Sequence, residues 1–522
     1  MNDLIIVFIG LGLIFYFFFV LATARNAIFK GYNGFIWFLL SLVLPPIAYF
    51  VMLFLPSKQL KSKEQYTAFD NIVLELTQPF IDLAHTSRAL LGVNISYVLE
   101  GLTYFGVLGL LAIYFNEYIG LNDIDAGRMV GVLTAGITLA MLFLGATVDW
   151  IGLRKSLLIA LSLMFVGRIF LTLAPSTGQP GLWNSAHSIA MLGILFIILG
   201  YGIYQPACYA GVKQLTDEKT SAMGYAMLYA LMNLGGFLPG IISPPVRKSF
   251  GITGVYWVYV ALTALGIAVV YFLITKKAMH DAISKKGEEY VKAQKEEKDE
   301  MSNMSTKEKM IFYFKNFPLR DLRFLYFIFI LIFVQTLFAH NWLTIPQYTS
   351  RAFEGFVSDN FEFFVNLNPI LIFILTPMVA ALTAKKNAYD MMIIGTFVMA
   401  SPTFILALGP NINTLIAYIL IMTIGEAMWQ PRFLQWVAEI APKNMTGIYM
   451  GIGQFPWFLT KVITSLYSGW FLMQYCPADK PPSEMNTEMM WFIYGLIAIV
   501  SPIGLLLARK WMLKGFKVKH ED

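Results

Sequence analysis

Apolar runs of about twenty residues recur along this 522-residue chain, and they constrain its fold more than any other feature. Such a run is what a helix needs to cross the ~30 Å hydrocarbon core of a bilayer. Two lie near 3–23 and 34–56. Six follow near 90–116, 127–148, 153–174, 187–212, 221–245 and 254–275, and six more near 322–348, 361–383, 389–408, 412–440, 445–472 and 488–509. The expectation is an all-α membrane protein of fourteen helices, two plus six plus six. Composition agrees, because charged residues make up only 13% of the chain and soluble proteins carry about 25%.

The first run follows Met1, Asn2 and Asp3 with no basic flank or small-residue cleavage site, so it reads as a retained helix. Cys208 and Cys476 imply neither a disulfide framework nor a metal site. The net charge of +6 is read through membrane topology, with no nucleic-acid partner expected. The chain divides into an N-terminal transmembrane hairpin (1–60), a cytoplasmic connection (61–88), a six-helix bundle (89–275), a charged cytoplasmic linker (276–320) centred on KKGEEYVKAQKEEKDE, a second bundle (321–511) and a cytoplasmic tail (512–522).

An internal repeat supports the division into sixes. GYGIYQPAC (Gly200 to Cys208) aligns with GEAMWQPRF (Gly425 to Phe433) at an offset of 225 residues, and GYAM from Gly224 aligns with GIYM from Gly447 at 223. Parallel repeats of this kind build secondary transporters that rock around a central site. Orientation follows from the basic residues in short connections. Arg154, Lys155, Lys213, Lys219, Lys385, Lys386, Lys443 and the tail lysines fall on one side together with the linker, which places both termini in the cytoplasm of a cell with this protein in its plasma membrane. Arg25 and Lys30 fit poorly, since this topology puts their loop outside.

Between the second and third core helices stands GATVDWIGLRK, Gly145 to Lys155. It fits the pattern G-x-x-x-D-x-x-G-x-[RK]-[RK] and resembles the signature of the major facilitator superfamily. Asp149 closes one helix, Gly152 makes the turn, and Arg154 and Lys155 open the next, so this cluster is the gating candidate. YFGVLGLLAIYF (Tyr104 to Phe115), YAMLYALMNLG (Tyr225 to Gly235), NPILIFILTPMVAAL (Asn368 to Leu382) and GEAMWQP (Gly425 to Pro431) resemble helices one, five, eight and ten of its proton-dependent oligopeptide transporter branch. The resemblance spans about 88–510. It implies a major facilitator fold of two six-helix bundles, alternating access, a small-molecule substrate moved with protons, and no cofactor. The first two helices look instead like a small hairpin found on unrelated membrane proteins, a candidate surface for a protein partner.

The branch carries E-x-x-E-R on its first helix, where this chain reads Tyr97, Val98, Leu99, Glu100, Gly101; it carries lysine before the fourth-helix proline, where this chain has Gln205 before Pro206. The tenth-helix glutamate is kept as Glu426. Carboxylates deep in a membrane are costly and mark functional sites by default, and burial in general favours the protonated form of such a group. Glu100, Glu426 and His340 are therefore the proton-coupling candidates. Glu100 is expected to face the central cavity without a neighbouring cation, shielded by close helix approach at Gly101, Gly106 and Gly109. Lys461 and Arg432 are the expected charge partners of Glu426. Tyr104, Tyr204, Gln205, Tyr229, Asn233, Trp429 and Gln430 are candidates for lining a substrate cavity, with helix packing as the alternative for each. Arg168 is expected to snorkel or pair locally. The reading is a secondary transporter, proton-coupled for a small peptide-like or other polar solute. Its alternatives are an uncoupled facilitator or exporter, or a membrane scaffold or receptor that retains the fold. No pairing of nucleophile and base suggests an enzyme.

Overall fold

The computed structural model describes residues 16, 19–58, 65–67, 69–74, 77, 87–145, 147–216, 227–228, 231–283, 320–383, 386–440, 452–453 and 455–514. Its N-terminal helices are α1 (Phe19–Phe29), α2 (Gly34–Val43) and α3 (Pro45–Phe54). The first core half contains α4 (Arg88–Glu117), α5 (Asp123–Leu144), α6 (Leu153–Leu173), α7 (Ser185–Leu215) and α8 (Pro239–Leu273). The second contains α9 (Leu322–Ile330), α10 (Ile332–Leu343), α11 (Ile345–Ala352), α12 (Leu367–Thr383), α13 (Ala388–Ala400), α14 (Ile412–Ile440), α15 (Phe455–Tyr475) and α16 (Thr487–Leu513). Among the described residues, nine helical stretches are long and apolar enough to cross a membrane.

Local chemistry fixes where these helices begin. Ser87, Asn122, Asn387 and Asn486 each accept a backbone N–H of the first turn of the helix that follows, which satisfies donors the helix itself leaves open. The expected spans 221–245 and 254–275 meet at Gly251, whose φ of +69° breaks one helical run without a loop. A side chain there would meet the Tyr118 hydroxyl, which accepts the Ile252 N–H at 3.0 Å. The seventh core span is interrupted at Leu331, between α9 and α10. Ser501 of α16 repairs the break: its hydroxyl donates to the Ile330 carbonyl at 2.6 Å and accepts the Val334 N–H at 2.9 Å.

Buried apolar side chains form one cluster running from Ala89 to Ala282, joined by a few residues of the second half, and another from Phe324 to Met512. The halves meet closely where α5 crosses α15. A Cβ built on Gly131 would lie 2.1 Å from the Ser465 hydroxyl, and one on Gly469 would lie 2.2 Å from the Asp123 carbonyl. At both positions only a hydrogen fits, against the Ser465 side chain in one case and the Asp123 backbone in the other.

One expected span is absent as such. Instead of one helix over 34–56, the chain forms α2 and α3, two ten-residue helices that fold back on each other at Leu44. Proline at position 45 forbids a helical Leu44, and Leu44 has φ −137° and ψ 64°. The linker segment 284–319 and the tail beyond 514 lie outside the described residues.

Candidate functional site

Glu100 lies on α4 and Arg168 on α6, 68 residues apart in sequence, and the fold brings them together. Arg168 Nη1 donates to Glu100 Oε2 at 2.9 Å and Nη2 donates to Oε1, a bidentate pair. Both side chains are 2% exposed. Arg168 Nη1 also donates to the Thr263 hydroxyl of α8 at 2.5 Å, and the Tyr201 hydroxyl of α7 donates to the Glu100 carbonyl at 3.4 Å. Glu100 thus sits in a network drawn from four helices of its own half, α4, α6, α7 and α8. This corrects one expectation, since the carboxylate has a cation, and of the two alternatives for Arg168 the structure shows pairing within its own half and not snorkelling. Gly101 and Gly106 serve the close packing that was expected of them, whereas a Cβ on Gly109 would meet only ordinary contacts, the nearest Val365 at 3.7 Å. A Cβ on Gly106 would lie 2.1 Å from the Tyr259 hydroxyl, and one on Gly101 would lie 3.1 Å from the Met232 carbonyl.

Glu426 is different. It lies inside α14 and is 7% exposed. Among the described residues, its polar partner is Asn368 at the start of α12, whose Nδ2 donates to Oε2 at 2.8 Å and to the Thr423 hydroxyl at 3.0 Å. The charge partners expected for it are engaged elsewhere. Lys461 Nζ donates across the two halves to the Thr138 hydroxyl of α5 at 3.1 Å, and Arg432 Nη2 donates to the Thr383 carbonyl at 2.9 Å. Asn368 also lines a small cavity of about 50 Å³ with Phe105 and Gly109 from the first half and Asn341, Trp342 and Asn366 from the second. Trp342 Nε1 is buried there without a hydrogen-bond acceptor among the described residues. Asn368 entered the sequence analysis only as the first residue of NPILIFILTPMVAAL, and Trp342 was not singled out there. An asparagine opening an apolar run was the one signal that could have singled out Asn368.

His340 is fully buried, with its ring stacked on Tyr494 at a centroid distance of 3.9 Å. Nδ1 meets the Thr344 hydroxyl at 2.7 Å and Nε2 the Tyr467 hydroxyl at 3.2 Å, so both ring nitrogens are engaged in packing. Trp429 is also core, with Nε1 donating to Met399 Sδ at 3.1 Å. Tyr204 is buried, its hydroxyl 2.7 Å from that of Ser96. Tyr104 is half-buried against Tyr201, and Gln205 reaches the Tyr209 hydroxyl at 3.4 Å. Asn233 and Gln430 are half-buried, and Gln430 Oε1 has no donor among the described residues. Tyr229 lies outside the described residues. Of the gating cluster, Asp149 lies in the short helix Thr147–Ile151, Gly152 takes φ +83°, Lys155 is exposed, and Arg154 donates to the Tyr271 carbonyl at 3.2 Å with its guanidinium over that ring.

At the opposite end from the linker, the two halves are tied by ion pairs. Arg351 of α11 grips Asp123 of α5 with two bonds of 2.7 and 2.8 Å. Arg247 of α8 pairs with Glu362, with Nη2 to Oε2 at 3.1 Å, and Lys248 donates to Asn360 at 3.2 Å. Gln347 donates to Asn116 beside the first pair. An open vestibule of about 690 Å³ lies outside this seam, lined by Glu117, Asp123, Arg351 and Asp479 among others. The seam closes that end of the interface between the halves.

The sequence profile of the Major Facilitator Superfamily matches residues 93–465. Dipeptide and tripeptide permease A of Proteus mirabilis (strain HI4320) is 22% identical over 463 residues, covering 78% of this chain and 91% of the permease. Peptide transporter YePEPT of Yersinia enterocolitica is 22% identical over 192 residues, which is 34% of this chain and about a third (36%) of that transporter. The solved structure of a POT family transporter with a thioalcohol-conjugated peptide superposes with a TM-score of 0.62 at 18% identity, over 82% of this chain and 97% of that one. A POT family transporter with 5-aminolevulinic acid gives 0.61 at 18%, over the same shares. Those likenesses establish the fold. With the profile spanning most of the core, this chain belongs to the major facilitator superfamily, and the relatives named above, to which it is similar, are peptide transporters.

Proposed function

We propose that this membrane transporter moves a small peptide-like or other polar solute together with protons, by alternating access between its two halves. The observation that carries the reading is Glu426, an intramembrane carboxylate held by the neutral amide of Asn368 beside a cavity shared by both halves. A carboxylate with a neutral partner can change protonation state without stranding a buried cation, whereas Glu100 cannot. Glu426 therefore binds the proton, and Asn368 connects it to substrate in the adjoining cavity. Lys461, mid-span at the interface of the halves, is the cation available to an acidic group of the solute. Bundles 89–275 and 321–511 rock about this level while the Asp123–Arg351 and Arg247–Glu362 pairs open and close the end far from the linker. The linker and tail lie in the cytoplasm of this reading, and the protein lies in the plasma membrane.

The test is uptake into proteoliposomes. Purified protein is presented with labelled di- and tripeptides and with single amino acids, with and without an inward proton gradient. Accumulation of one class above equilibrium, only with the gradient, supports the reading. Equilibration that ignores the gradient would make the protein a facilitator, and no movement or binding of any of these solutes would remove the peptide-like substrate.

A further inference from the structure

The N-terminal helices α2 and α3 are too short to cross a bilayer. Ten residues rise about 15 Å, half of the ~30 Å hydrocarbon core. Contacts at their outer ends show that they run side by side and return to their starting level. Lys30, just before α2, donates from Nζ to the carbonyls of Met52, Leu53 and Leu55 at 2.9, 2.7 and 2.8 Å, capping the end of α3. The Lys58 N–H donates to the Lys30 carbonyl at 2.8 Å, the Tyr32 hydroxyl donates to the Pro56 carbonyl at 2.9 Å, and the Lys58 ammonium sits over the Tyr32 ring. At the other end, the Tyr16 hydroxyl bonds the Leu42 carbonyl and Phe19 meets Tyr49 edge-on. The tip at Leu44 thus lies beside the early part of α1, about a half-bilayer from the base.

The base lies on the face where the transporter core begins. From Ser57 to Ser87 the chain offers no apolar run of twenty residues, so it does not cross between α3 and the start of α4. The outward face of the pair is apolar from base to tip: Val43 is 77% exposed, Ile47 58% and Phe54 85%, with Phe35, Leu39 and Phe50 also exposed. On its inner side the unit is continuous with a membrane helix, since Leu21, Phe38 and Ile72 pack with Phe373 and Ile370 of α12.

We propose that α2 and α3 form a re-entrant hairpin seated in the lipid of the leaflet on the linker side, with acyl chains as the partner of its apolar face. Three observations select lipid. The depth equals one leaflet, the apolar face includes the tip as well as the flanks, and lysines sit only at the base, at headgroup level, where long cationic side chains settle. The arrangement also removes the one misfit in the charge pattern. Lys30 stands in the turn after α1, one helical turn beyond Arg25 near the end of that helix, and a second crossing would carry this end to the outer face; a re-entrant hairpin returns it to the basic side, as the charge bias demands.

The test is cysteine labelling of the full chain in sealed membranes with a membrane-impermeant maleimide. Lys514→Cys reports the linker side, Asp479→Cys the opposite side, and the parent gives the background from its two buried cysteines. Tyr32→Cys, Asn33→Cys and Ser57→Cys are each expected to label with the sidedness of Lys514→Cys, and Val43→Cys to react only with a lipid-soluble maleimide. Using both Tyr32 and Asn33 guards against loss of the α2 cap. Labelling of positions 32 and 33 with the sidedness of Asp479→Cys, while 57 keeps that of Lys514→Cys, would show that the segment crosses and overturn the proposal. Val43→Cys reacting with the impermeant reagent, or resisting both reagents under a co-purifying protein, would overturn the assignment of lipid as its partner.

Discussion

Neutralising Glu100 leaves the Arg168 guanidinium at 2% exposure without its counter-charge. Removing one partner of a buried ion pair costs about 3–5 kcal/mol, because the remaining charge stays desolvated. Glu100→Gln is therefore expected to lower the thermal unfolding temperature of the detergent-purified protein sharply, and Arg168→Gln to do the same. The double variant should recover more than half of the loss, since it strands no charge. Equal loss in all three would contradict the pair assignment. Little of this was legible in the sequence. Glu100 stood out as a carboxylate in an apolar run, but its partner lies 68 positions away on a helix that no local pattern connects to it. The same holds for Glu426: its importance was visible from its depth, its partner Asn368 was not, and the nearby cations Lys461 and Arg432 turn to other acceptors.

Helices were legible where length and apolarity act alone. The run 412–440 is α14 residue for residue, and the run near 488–509 is α16 extended by its Asn486 cap and a final turn. The split of 34–56 was missed because FLLSLVLPPIAYF is apolar throughout, and hydropathy does not register what Pro45 does to Leu44. Helix crossings carry a prediction of their own. Gly469→Val on α15 would drive side-chain atoms into the Asp123 backbone and push α5 away at the end far from the linker. Labelling of Asn116→Cys by an aqueous maleimide should rise several-fold in that background, and Gly504→Ala, remote from the crossing, should leave it unchanged. Among the described residues, the hairpin packs on the core at an apolar patch around Leu21 and Phe373, and deletion of residues 1–60 should leave a monodisperse twelve-helix core in detergent. Aggregation of that core on size exclusion would make the hairpin integral to the bundle.

For the whole molecule, the structure has one end of the interface sealed by Asp123–Arg351 and Arg247–Glu362. Transport by rocking requires that seal to open in each cycle. A short bis-maleimide joining Asp123→Cys to Arg351→Cys should stop uptake, while each single variant treated alike keeps most of its own activity. Continued uptake in the cross-linked protein would exclude opening at that end. Reporters fused within 284–300 and near Asp479 should read opposite sides of the membrane. The most direct measurement of the central claim compares two glutamines in proteoliposomes under an imposed pH gradient. Glu426→Gln should abolish gradient-driven accumulation and weaken substrate binding while counterflow exchange persists. Glu100→Gln, in the fraction that remains folded, should still concentrate substrate in response to the gradient. Accumulation by Glu426→Gln equal to that of the parent, or a loss of coupling confined to Glu100→Gln, would contradict the assignment of Glu426 as the proton-binding group.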